Sequence, residues 1–173
     1  SVDKSKNFET DLSPAIELLE IGKYQEAQKW LFRFLKINPK QPEALSLLSQ
    51  VLLLDKKELE AEQNLLEAAS LNPDLPSVYR NQARLLLKKS KPVEALEKAQ
   101  LLFNNIPNDP ENLLILAACL GANNRDSEAL PILDKILEDN SEYAEAYANR
   151  ALIKLRCKDI SSAIKDFEKT VSL

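Results

Sequence analysis

Apolar residues along this chain come in short bursts at three- and four-residue steps, with polar breaks between them. In residues 42–71, Leu45, Leu48 and Leu52 form one stripe, Asp55-Lys56-Lys57 interrupts it, and Ala61, Leu65 and Ala68 form a second. Residues three and four apart share one face of an α-helix, so this spacing predicts two amphipathic helices joined by a tight turn.

The same pattern returns at a fixed period. Ala27, Ala61, Ala95, Ala129 and Ala163 are 34 residues apart, and Glu26, Glu60, Glu94 and Glu128 precede the first four, with Ser162 in the fifth place. Pro39, Pro73 and Pro107 keep the same spacing, as do Pro42, Pro76 and Pro110. Proline is tolerated in the first turn of a helix, where its missing N–H has no partner to lose, and just beyond a helix end it prevents continuation. The two proline series therefore bracket the loop between one helix pair and the next. The small alanine lets the second helix of a pair approach the first. Leu31, Leu65, Leu133 and Phe167, one turn later, fill the space beside it.

A single hairpin buries too little to offset an ordering entropy of roughly 1–2 kcal/mol per residue, so neighbouring hairpins must stack. The expected hairpins are 8–37, 42–71, 76–105, 110–139 and 143–173, in one array over 1–173, with residues 1–7 as a flexible tail.

A helix-turn-helix period of this length, small at its eighth and twentieth positions, resembles the tetratricopeptide repeat. The eighth position reads Ala15, Ser49, Ala83, Ala117 and Ala151, and the fifth unit carries Ala146-Tyr147-Ala148-Asn149-Arg150-Ala151 ahead of Ala163 and Phe167. Only the first unit has the family's Gly22-Lys23-Tyr24 turn; its first helix is expected to be short and capped by Ser13, because Pro14 falls where leucine is usual. The resemblance implies an all-α, right-handed α-solenoid of five such hairpins that binds proteins.

Composition reinforces helix: Ala, Leu, Glu and Lys abound, and the chain has only 2 Gly. The net charge of −4 argues against a nucleic-acid surface, and no apolar run is long enough to insert into a bilayer. With no His in the chain, Cys119 and Cys157 have no metal partners and are expected to be buried thiols. Neither a cofactor site nor a catalytic set is expected, and Asp134, Glu138 and Asp139 are assigned to solvated surface. Trp30, Tyr143 and Tyr147 are assigned to packing. The polar start, without a signal-peptide pattern or an initiator Met, points to a cut or processed chain and a cytoplasmic location.

In the family the first helix of each hairpin lines the concave face. That implies a partner-binding set of Arg80, Asn81, Arg84, Lys88, Leu114, Ile115 and Asn149. Arg80, Arg84 and Lys88 step by four along one helix and are expected to receive an acidic group of a protein or peptide partner, while Leu114 and Ile115 take an apolar side chain. The alternative is an ordinary solvated face. The carboxylate clamp of chaperone-binding members does not fit, since Ile115, Glu145 and Asn149 depart from its pattern. A rival to the scaffold is the repeat region of a larger enzyme such as a glycosyltransferase or sulfotransferase. The last hairpin lacks a polar outer helix, which points to homo-association or to further protein beyond Leu173.

Overall fold

A computed structural model describes residues 11–173 of the chain. The described residues form ten α-helices and no strand: α1 Ser13–Glu20, α2 Tyr24–Ile37, α3 Pro42–Leu54, α4 Glu58–Leu71, α5 Pro76–Lys88, α6 Pro92–Asn105, α7 Pro110–Ala122, α8 Asp126–Asp139, α9 Ala144–Arg156 and α10 Ile160–Ser172. This is an all-α helical-repeat fold. The expected flexible tail 1–7 and the start of the 8–37 hairpin fall outside the described residues. Pro42, Pro76 and Pro110 each open a helix, as a residue without an N–H should.

Helix α1 is short, as its proline predicts, but Ser13 does not cap it. Leu12 occupies the cap position. The Asp11 carboxylate accepts from the Ser13 amide at 2.9 Å and from its hydroxyl at 2.5 Å, so the acid one residue further out serves the helix start. Those two bonds hold the Asp11 carboxyl below its ordinary value.

The turns inside the hairpins repeat with the sequence period. Gly22, Lys56, Ser90, Asn124 and Lys158 all have positive φ, between 57° and 79°. In each, the next amide reaches back five residues, as from Lys57 N to Leu52 O at 2.9 Å and from Asp159 N to Lys154 O at 2.9 Å. This is the Schellman closure of a helix end, which satisfies carbonyls the helix leaves open. Glycine adopts that backbone freely, whereas an L-residue is strained by about 1 kcal/mol. Lys56→Gly is therefore expected to stabilise the protein by about 0.5 kcal/mol after the unfolded-state entropy of glycine is subtracted. Gly22→Ala should destabilise by about 0.5 kcal/mol by the same balance, all of it backbone, because nothing lies within 4 Å of an added Cβ. Urea unfolding of the two variants checks both signs.

The chain forms two compact units, one ending at Leu85 and the other spanning Leu86–Leu173, with the division falling inside α5. In the first, α1 packs on α2, α2 on α3 and α3 on α4. Its core gathers Ala15, Ala27, Leu31, Leu48, Leu52, Ala61 and Leu65, and Trp30 lies against it, stacked on Phe34 with ring centroids 5.4 Å apart. In the second, helices α6 to α10 pack each on the next, and α7 also touches α9. Ala95, Ala129 and Ala163 are fully buried there, as are Leu133 and Cys119. Burial pushes the Cys119 thiol up to about 12. Cys157 departs from expectation: it follows the last residue of α9, in the turn, and is exposed.

Candidate partner-binding surface

Arg80, Asn81 and Arg84 lie on α5 within the first unit, and the structure gives them different tasks. Arg80 and Arg84 are half-buried. Asn81, expected to face a ligand, is 0% exposed. Its Nδ2 donates to the Ser46 carbonyl at 2.9 Å and to Ser46 Oγ at 3.0 Å, and its Oδ1 accepts from Arg84 Nη1 at 2.9 Å. The asparagine thus ties α5 to α3 and to the guanidinium, and presents no surface of its own. Sequence reasoning missed Ser46, which stands as one small residue inside an apolar stripe.

The remaining expected contacts belong to the second unit. Lys88 is exposed at the end of α5, and Asn149 is half-buried on α9. Leu114 and Ile115, expected to offer an apolar floor, are only 7% and 5% exposed. Both are core residues of α7, because that helix is apolar around most of its circumference: every residue from Asn112 to Ala117 is buried.

Helix α9 carries a polar cluster that periodicity does not reveal. Arg150 grips Asp166 with a two-pronged contact, Nε to Oδ2 at 2.9 Å and Nη2 to Oδ1 at 2.8 Å. Its Nη1 reaches Asp134 of α8 at 2.9 Å, and Lys154 Nζ adds a second cation to Asp166 at 2.8 Å. Asp134 is therefore a partner in an ion pair, beyond the solvated-surface role expected of it. Burial alone would raise the Asp166 carboxyl, but the bonds from Arg150 and Lys154 outweigh it and hold the group below its ordinary value. The Arg150 guanidinium lies 5.5 Å from the Tyr147 ring centroid, and the Tyr147 hydroxyl donates to the Ser141 carbonyl. The ionic groups find their partners on neighbouring helices, which is the arrangement of a strut.

The second unit also holds an open cleft of about 690 Å³ whose lining includes Gln100, Phe103, Leu116, Leu120, Arg125 and Pro131. Pro131 sits inside α8 and brings no N–H, so the Ser127 carbonyl lacks its usual helical donor. Among the described residues, no group of three or more His, Cys, Asp or Glu is placed to hold a metal ion. No described helix is long and apolar enough to cross a membrane.

Helical hairpins repeating every 34 residues, with a buried alanine at the close approach and a Schellman turn within each, make this a tetratricopeptide-repeat protein. More narrowly, the chain belongs to the ChAPs family, the Chs5p-Arf1p-binding proteins, whose pattern matches residues 12–164. It is also similar to the DnaJ homolog subfamily C member 7 homolog of Schizosaccharomyces pombe (strain 972 / ATCC 24843), at 30% identity over 148 residues. That match takes in 85% of this chain and 27% of the other, so the chain spans about a quarter of the length of the curated relative it matches.

Among solved structures, TTC0263, a thermophilic TPR protein of Thermus thermophilus, superimposes with a TM-score of 0.78 at 19% identity, over 93% of this chain and 88% of that one. YrrB, a TPR protein with an unusual peptide-binding site, gives 0.57 at 18% identity, over 96% and 88%. At these identities the likeness shows the fold. Fold and family together are those of protein-interaction scaffolds.

Proposed function

We propose that this chain is a protein-interaction module whose α5 face takes up an acidic group of a partner protein through Arg80 and Arg84. The observation that carries the reading is membership, over residues 12–164, of a family described by the proteins it binds. The α5 arrangement supports it: two arginines one turn apart, with the amide between them turned inward to anchor one guanidinium. In the second unit, Lys88 and Asn149 remain as contacts for a partner, whereas Leu114 and Ile115 serve the core.

Chs5p and Arf1p, which give the family its description, are the first partners to test. In calorimetric titrations at two salt concentrations, Arg80→Glu with Arg84→Glu should weaken binding of the cognate partner about tenfold or more and reduce its salt dependence. Unchanged affinity and unchanged salt dependence would sink the α5 reading.

A second reading rests on exposed apolar residues of α10. Val171 is 87% exposed and Ile164, seven residues before it on the same helix face, is 50% exposed. We propose that this face supports self-association. Sedimentation should show a mass that rises with concentration and that Val171→Asp with Ile164→Asp holds at the monomer; a monomer at every concentration removes this reading.

A further inference from the structure

We propose that the cleft opened by α6 and α8 is a docking site for a tryptophan side chain of a partner protein, with the indole N–H donated to the Ser127 carbonyl. The site lies wholly within the second unit and is independent of Arg80 and Arg84.

One residue is out of place in the repeat. Pro131 falls in the interior of α8, where a proline deletes one helical hydrogen bond and crowds the carbonyl four residues back. At the same register the other four hairpins carry Lys29, Gln63, Glu97 and Lys165. All four are exposed and all four keep the N–H, so neither the core nor the period calls for proline there. Its effect is on the surface. It puts an apolar ring where the other hairpins have a solvated polar chain, and it leaves the Ser127 carbonyl without its helical donor. Ser127 and Pro131 both line the cleft, one turn apart, so the bare acceptor lies on the cleft wall.

The rest of the cleft selects the occupant. Leu116 and Leu120 of α7, 6% and 4% exposed, form its floor, and Phe103 supplies an aromatic wall from α6. Arg125, which also lines the cleft, donates to Glu128 from Nε at 2.5 Å and from Nη2 at 2.7 Å, so these two charges compensate each other. An apolar cleft with compensated charge and a bare acceptor fits a neutral, apolar side chain that donates. Indole is that group: it joins a large apolar ring to an N–H that only donates, whereas the tyrosine hydroxyl brings an acceptor as well. A volume of about 690 Å³ admits the indole together with the backbone that carries it.

The test uses the full chain and two blocked tripeptides: acetyl-Gly-Trp-Gly-amide, and the same peptide with 3-benzothienylalanine, whose sulfur takes the place of the indole N–H. Titration is followed by the methyl resonances of Leu116, Leu120 and Ile132, which line the cleft. The tryptophan peptide should shift them to saturation, and the benzothienyl peptide should bind about fivefold more weakly, as the loss of one hydrogen bond predicts. Pro131→Ala returns a helical donor to the Ser127 carbonyl. This variant should bind the tryptophan peptide about fivefold more weakly than wild type, with the two peptides now equal. Absence of any shift in these methyls overturns the site. Equal affinities in the wild-type protein, or a preference for tryptophan that Pro131→Ala retains, overturn the bond to Ser127 and with it the choice of tryptophan. No outcome here involves α5, so the reading of Arg80 and Arg84 stands or falls by its own titration.

Discussion

Leu133→Ala is expected to destabilise the second unit by about 3–4 kcal/mol, the cost of emptying a filled core position. Leu133 is 0% exposed on α8, one turn beyond Ala129, so its side chain fills the space that the small alanine leaves between α7 and α8. The third hairpin has Ala99 at this register, also 0% exposed, which shows that the backbone of a hairpin accepts alanine there. The loss in the variant is therefore that of an unfilled cavity, added to the transfer of a leucine side chain, without any helix-propensity term. Urea unfolding followed by helical circular dichroism measures it. A loss below about 1 kcal/mol would mean that the neighbours collapse into the space and that the packing is looser than the burial indicates.

Asp166→Ala is expected to lower stability by about 2–3 kcal/mol, since it leaves two cations without their shared partner. The carboxylate side chain is 6% exposed, while those of Arg150 and Lys154 are 20% and 19% exposed. Both cations can thus reach some water once Asp166 is gone, and Asp134 still accepts from Arg150, which holds the effect below that of a wholly buried charge. The variant should also change the acid limb of the stability profile. Asp166 titrates in the folded chain below its ordinary value of 3.8, so its contribution is fully present above that pH and is lost as the pH falls through the lower folded value. Wild-type stability should fall more steeply than that of Asp166→Ala across this acid range. Parallel profiles would show that the Arg150 and Lys154 contacts do not stabilise the ionised form.

Much of the architecture was legible because helix pairs of equal length impose a period, and a period is visible without coordinates. The alanine series marked the close approaches and the proline series marked the helix starts, and both kinds of residue occupy those places. The turns were only partly legible. Gly22 announces a left-handed residue, but Lys56, Ser90, Asn124 and Lys158 adopt the same backbone without glycine. There the closure of the helix end imposes the conformation on whatever residue falls in the register.

The candidate surface was harder to read, for a different reason. The sequence places Arg80, Asn81 and Arg84 on one helix face, yet a face is a set of directions and does not say what lies opposite. Asn81 and Ile115 hold equivalent places and both are buried, one through hydrogen bonds and the other by apolar packing. The strut of Arg150, Lys154, Asp134 and Asp166 joins three helices through residues 12 to 32 positions apart, and no local pattern marks such a set.

By itself the sequence determined the helices, their pairing into hairpins and the small residues at which they approach, because each of these follows from contacts within one period. Only the tertiary structure decided that Asn81 turns inward to Ser46 and Arg84, that Leu114 and Ile115 are core, that Cys157 is exposed and that Asp166 is shared by two cations. Those outcomes depend on which side of a helix a neighbouring helix covers, and that is set by the packing of residues distant along the chain.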